Sequence, residues 1–404
     1  MRFIDQDEVK KFIMGHNYDI RKSGNARWID QKCTPDVLTI IADCVLEYIY
    51  DKDDDAEFTS RDIWNNPYTD SNISTMFKKP SVTNGKAGNE YDKFFSQPLE
   101  LFAYSGILTK DKRGRFNYYK VSNKDILTFL ALREMNSLFF LNIYCEKVLR
   151  DSGLFEVFED FFENSDKDRF NEMKNSFVQF TIDNTPITKP TEPRRIFTKV
   201  INPLSFTRNK KGTESGHISK NIISYDMLMY NRENFRDMYN AKPKGLTRSE
   251  HDAVRPIHLY NDYAITKAKK MVKLYNIEYN FGKSEVEEYS HGENATHIHH
   301  IFTRESYPEI SDYFENLIAL TPTQHLNYAH INGNTQVISK DFQYTCLLAK
   351  IGTIKQSYEM HNGLYEFHKM CYVLKTGLNN EKYLSIPYLD FDQVINYVNL
   401  DYGI

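Results

Sequence analysis

The stretch from Thr296 to His330 constrains this chain more than any other. It reads Thr296-His297-Ile298-His299-His300-Ile301-Phe302, then Asn316-Leu317-Ile318-Ala319-Leu320, then Thr321-Pro322-Thr323-Gln324-His325, with His330 close behind. Thr296 to Phe302 alternates polar and apolar residues as a half-buried strand does, and Phe314 to Leu320 supplies a second apolar run. Pro322 behind Thr321 suits a first helical turn and opens a helix through about Ile331. In the order strand, strand, helix, the end of the first strand meets one helix face, so His299 or His300 can share a small site with His325. Six of the twelve histidines (His291, His297, His299, His300, His325 and His330) fall between residues 291 and 330. A neutral imidazole can ligate a divalent metal, and a free one can accept a proton near pH 7.

With 404 residues the chain has room for two or three domains, and 41% hydrophobic residues with 14% aromatics can fill their cores. No run approaches the ~18 apolar residues that cross a bilayer. Met1-Arg2-Phe3-Ile4-Asp5 lacks a signal peptide's apolar core, so a cytoplasmic protein without membrane contact is expected. Five scattered cysteines with no CxxC spacing point to reduced thiols. The formal charge of −4 does not exclude nucleic acid, because the distribution of charge matters more than its sum.

Along the chain, Thr34 and Pro35 start a helix that runs to about Tyr50 on Val37, Leu38, Ile41, Cys44, Val45, Tyr48 and Ile49. A short helix starts at Thr59, and another covers about Glu90 to Tyr104 with an interruption near Pro98. A hairpin follows, with Ile107 to Thr109 and Phe116 to Val121 flanking a turn at 111–115. Helices followed by a hairpin are the order of a winged helix. Lys110, Lys112, Arg113 and Arg115 at its tip suit phosphate contact, and Lys78 and Lys79 lie on the preceding helical segment. Residues 1–125 thus read as a winged-helix-like DNA-recognition domain, and 126–185 as a helical connector. Residues 186–260 read as a basic, loop-rich segment in which Arg194, Arg195, Arg208, Lys210 and Lys211 can follow a phosphate backbone. Asp262 to about Tyr275 is a helix with Ala264, Ala268, Met271, Val272 and Tyr275 on one side. Its other side carries Lys267, Lys269, Lys270 and Lys273.

The pattern His299-His300-Ile301, Asn316-Leu317, His325 resembles the HNH, or His-Me finger, nuclease motif, in the form found in restriction endonucleases. The resemblance is specific over about Asp262 to Ile354. It implies an α+β, multidomain protein whose residues 261–404 form a ββα-metal nuclease domain with a helical extension. It further implies His300 as general base, His299 and His325 as ligands of one divalent metal, and Asn316 as a hydrogen-bonding brace for the first strand and its base. His297, His330 and Arg304 are additional candidates for metal or phosphate. The metal expected is Mg²⁺, with Mn²⁺ as the alternative. No structural zinc is expected, because Thr321, Gln324 and Asn280-Phe281-Gly282-Lys283 stand where many HNH proteins carry cysteines.

The activity implied is metal-dependent cleavage of double-stranded DNA leaving a 5′-phosphate and a 3′-hydroxyl. One finger cuts one strand, so a homodimer is expected, with a cognate DNA methyltransferase as a separate protein. The rivals are a modification-dependent or homing HNH nuclease, and a winged-helix DNA-binding regulator whose histidine-rich finger only holds a structural zinc.

Overall fold

The computed structural model describes residues 2–53, 55–77, 79, 88–230, 257–329 and 339–404, with the side chains of 88–91 and 257–261 left out. The architecture is mixed α+β, mostly helical, and the described strands form small antiparallel sheets. Two compact units partition the chain, Gln6–Arg255 and Met1–Asp5 with Pro256–Ile404. No described helix is long and apolar enough to cross a membrane.

In the unit Gln6–Arg255, helices α1 (Gln6–Met14) and α2 (Ile20–Ser23) lead to α3 (Pro35–Ile49). Apolar residues surround α3 on nearly every side, and Val37, Leu38, Ile41, Cys44 and Val45 are wholly buried. A helix apolar all round belongs in the middle of a core. Around α3 pack α6 (Gly88–Tyr104), α7 (Lys124–Leu132) and α8 (Glu134–Asp151). Helix α6 runs through Pro98 without the expected break.

Between α3 and α6 come β1 (Glu57–Phe58), α4 (Ser60–Trp64) and α5 (Pro67–Phe77). The Thr59 hydroxyl and the Asp62 carboxylate cap α4 reciprocally. Strands β2 (Leu108–Arg113) and β3 (Phe116–Val121) follow, and the sheet order is β1-β3-β2. Arg113 pairs with Phe116 across a two-residue turn. Gly114 there has φ +62°, the left-handed backbone that a tight hairpin needs.

Helices α9 (Phe155–Glu163), α10 (Lys167–Asn184) and α11 (Thr191–Thr207) complete this unit around an aromatic cluster of Phe158, Phe170, Phe177 and Phe197. A hairpin, β4 (Lys211–Glu214) and β5 (His217–Ile222), packs on α11. Helix α11 corrects the loop-rich expectation for 186–260. Pro193 falls in its first turn, where a backbone N–H has no helical partner to lose. Ile196, Phe197, Val200, Ile201 and Leu204 recur at helical spacing and are buried, which outweighs the interior Pro203.

The second unit starts from α12 (Ile257–Asn280), which packs against the two short strands β6 (His297–His300) and β7 (Leu317–Leu320). A helical turn over 322–329 follows, of which Gln324–Ala329 is wound with wider, π-type turns. Helices α13 (Lys340–Glu359), α14 (Phe367–Leu378) and α15 (Phe391–Tyr402) close the unit. Phe3 packs here on the rings of Tyr275 and Tyr279.

Candidate active site

Strand β6 pairs antiparallel with β7 in the register His297↔Leu320, Ile298↔Ala319, His299↔Ile318 and His300↔Leu317. All four residues of β7 are buried, so its place in the unit is set by apolar packing on both faces. Its outer edge is closed by residues 284–285. The Glu285 N–H donates to the Ala319 carbonyl at 3.1 Å, and the Ala319 N–H donates to Glu285 Oε1 at 2.8 Å. The same carboxylate meets the Lys350 ammonium of α13 at 2.6 Å in a nearly solvent-free pair. Burial pulls the Lys350 pKa down, and Glu285 opposes that pull.

The helix after β7 begins with a reciprocal cap. The Gln324 N–H donates to Thr321 Oγ1 at 3.1 Å, and the Thr321 N–H donates to Gln324 Oε1 at 3.0 Å. Gln324 is fully buried, and its amide also donates to the Val286 and Glu288 carbonyls at 2.9 and 2.7 Å. Ser284 Oγ lies 2.6 Å from Gln324 Oε1. The cap ties the helix start to the segment before β6, and so sets where His325 stands.

By the two-residue period of a strand, His297 and His299 share a face of β6. Both meet His325. The ring centres of His299 and His325 are 5.1 Å apart at 75°, and those of His297 and His325 are 5.0 Å apart at 17°. Two imidazoles that share one cation at ~2.1 Å have ring centres roughly 4.5–5.5 Å apart at ligand angles of about 90–110°. The His299–His325 pair fits that arrangement. The His297 ring meets His325 nearly parallel at a separation in the same range. Among the described residues no group of three or more His, Cys, Asp or Glu converges on one point, and His330 lies outside them.

His300 ends the strand on the other face. Its Nε2 lies 2.9 Å from the Ser311 carbonyl, which can only accept, so Nε2 carries the proton and Nδ1 the lone pair. Burial, with the Lys269 and Arg304 cations nearby, lowers its pKa to about 4, so the ring is neutral at pH 7. Asn316, fully buried, clamps the chain just past His300. Its Oδ1 accepts from the Phe302 N–H at 2.9 Å, and its Nδ2 donates to the Phe302 and Ile310 carbonyls at 3.0 and 3.1 Å. The contact is with residue 302 rather than with the strand itself. Arg304 bonds to Asp262 of α12.

The expected DNA-contact residues are less free than their sequence suggests. Lys110 is paired with Glu100 at 2.7 Å, Arg113 with Glu57 and Asp111 at 2.7 and 2.8 Å, and Arg208 with Glu146. Lys79 donates to the Tyr230 hydroxyl at 2.7 Å. Lys112 and Arg115 at the hairpin tip and Arg194 and Arg195 on α11 are exposed, whereas Lys210 and Lys211 are half-buried. Lys78 lies outside the described residues. Lys269, expected on the solvent side of α12, is half-buried.

Sequence reasoning missed the reciprocal cap, although Thr321-Pro322-Thr323-Gln324 spells its pattern. It missed the Glu285–Lys350 pair as well, whose partners stand too far apart in sequence to leave a local signal.

No family model, curated protein or solved structure matches this chain.

Proposed function

We propose that this chain is a metal-dependent endonuclease of the HNH restriction type acting on double-stranded DNA. One observation carries the reading. Two imidazoles from a strand and the following helix meet at metal-sharing separation, while the next imidazole in the chain is held neutral with one nitrogen tied to a carbonyl.

In this reading His300 Nδ1 takes a proton from a water molecule. The resulting hydroxide oxygen bonds to phosphorus as the bond from phosphorus to the 3′-oxygen breaks, and the departing 3′-oxygen takes a proton from solvent water, leaving a 5′-phosphate and a 3′-hydroxyl. A positioned general base of this kind contributes roughly 10²- to 10⁴-fold. His299 and His325 would hold the divalent ion, which supplies positive charge to the phosphate and the leaving oxygen. Two protein ligands leave room for several waters, as Mg²⁺ prefers, while imidazole donors suit Mn²⁺ and later metals better. The order of β1, α4 to α6, β2 and β3 is compatible with a winged helix that selects the sequence. Since one finger cuts one strand, two copies on a palindromic site account most simply for a double-strand break.

Incubation of the protein with plasmid DNA and Mg²⁺ or Mn²⁺, beside a His300→Ala variant, tests the proposal. Discrete fragments are expected from the first and none from the second, with DNA retained by both in a gel-shift assay. Binding without cleavage under either ion, with zinc held through chelation, would establish the regulator instead. Parallel digestion of methylated and unmethylated plasmid separates an ordinary restriction activity from a modification-dependent one.

A further inference from the structure

Helix α12 packs against both strands of the histidine site, and one stripe of it deals in charge. Asp262 and Lys269 are seven residues apart, which places them within about 20° of each other around the helix. Asp262 receives the Arg304 guanidinium, so the stripe and the chain just after His300 face each other. Lys269 lies farther along that stripe and is half-buried, and no carboxylate or carbonyl among the described residues meets its ammonium. Its neighbour Lys267 is settled over the Tyr263 ring. The charged groups that bear on His300 are Lys269, Arg304 and Glu305, and Glu305 is exposed.

Removing an ammonium from water without an acidic partner is unfavourable, and a methionine would fill the same space without that cost. Arg304 is already bonded to Asp262 and Glu305 is exposed, so the Lys269 ammonium near His300 has no direct acidic partner among the described residues, and an anion would supply one.

Building on the nuclease reading, we infer that Lys269, with Arg304 beside it, binds the scissile phosphate directly and makes Lys269 a further catalytic residue. A phosphodiester presents two nonbridging oxygens, and both gain negative charge as the water oxygen bonds to phosphorus. The Lys269 ammonium takes one of them on the His300 side of the site. Arg304, half-exposed and already bonded to Asp262, meets the flanking strand.

The test compares the full-length wild type with Lys269→Met and Lys269→Arg in single-turnover cleavage of a plasmid the wild type cuts, under saturating protein and Mn²⁺. Removal of one such donor typically lowers a rate by about 10²- to 10³-fold, and a loss of that order is expected for Lys269→Met. Lys269→Arg should recover most of it. Duplex affinity, measured with the His300→Ala change added so that nothing is cut, should fall by no more than one phosphate contact supplies. The melting temperature of Lys269→Met should hold or rise. A merely structural lysine would give the opposite set: a lower melting temperature, with cleavage lost only in proportion to unfolding. If Lys269→Met does not fold, Lys269→Gln takes its place. Wild type that cuts beside a Lys269→Met protein that cuts equally well overturns this inference alone. Wild type that cuts no DNA overturns the nuclease reading and this inference with it.

Discussion

His299 and His300 are one position apart, yet their rings serve different surroundings. His299 is nearly solvent-free and turned to His325, whereas His300 is tethered to a carbonyl and flanked by two cations. The depressed pKa of His300 has a consequence for stability. In the unfolded chain the ring protonates near 6.5, while in the folded protein it does so only near 4. The unfolded state therefore binds the proton first, and stability falls as pH drops from about 6.5 to about 4. Urea denaturation of His300→Gln should show a shallower loss between pH 7 and pH 5 than the wild type, and equal slopes would contradict the assignment. Asn316 makes a second case at this scale. Asn316→Ala leaves the Phe302 N–H and the Phe302 and Ile310 carbonyls without their buried partner, and should cost about 2–4 kcal/mol by denaturant titration. A change within about 0.5 kcal/mol would mean that the clamp is redundant. The histidines and Asn316 were legible in the sequence because their residue types carry the chemistry. The Ser311 carbonyl was not, since every residue has one.

Among the elements, the turn over 322–329 depends on one glutamine. Gln324 closes the cap and binds two carbonyls of the preceding segment, so Gln324→Ala should weaken the grip on His325 as well as the fold. Under the proposed function, in which His325 holds the ion, loss of a group that orients it should cost about 10- to 100-fold in affinity, a drop that calorimetric titration with Mn²⁺ would reveal. Unchanged Mn²⁺ affinity would show that His325 is positioned from elsewhere. Helix α14 contributes a close approach: a Cβ at Gly377 would come within 2.4 Å of the Phe302 ring. Gly377→Ala should therefore destabilise the unit by about 1–3 kcal/mol, despite alanine's better helix propensity. A Gly377→Ala protein as stable as the wild type would mean that the ring moves aside freely. The helix α3 and the hairpin β2-β3 could be read in advance because a period of three to four and a Gly-containing turn are local signals. Helix α11 could not, because its prolines speak against a helix while the aromatic cluster that stabilises it comes from α9 and α10.

For the whole molecule, the two compact units each enclose a core, so scanning calorimetry should resolve two transitions rather than one. The upper or lower of these should move in Lys350→Met, which strands the buried Glu285 carboxylate and should cost about 3–5 kcal/mol, while the other stays in place. A single transition shifted as one would show that the units unfold together. That two short strands, one of them carrying histidines, are followed by a helical turn in the second of them was legible from residue order alone. The pair that anchors it was not, since Glu285 and Lys350 meet only once the chain is folded.

The hold on His300 is made of main chain. A tether to a main-chain oxygen survives any exchange of the Ser311 side chain, so point changes there should leave the imidazole aimed as before. Its weak spot is spacing: one residue inserted or deleted between Phe302 and Ser311 would carry that oxygen away from the ring while both strands stayed paired. Length variation in this connection is thus the change by which such a chain would keep its shape and lose the proposed chemistry.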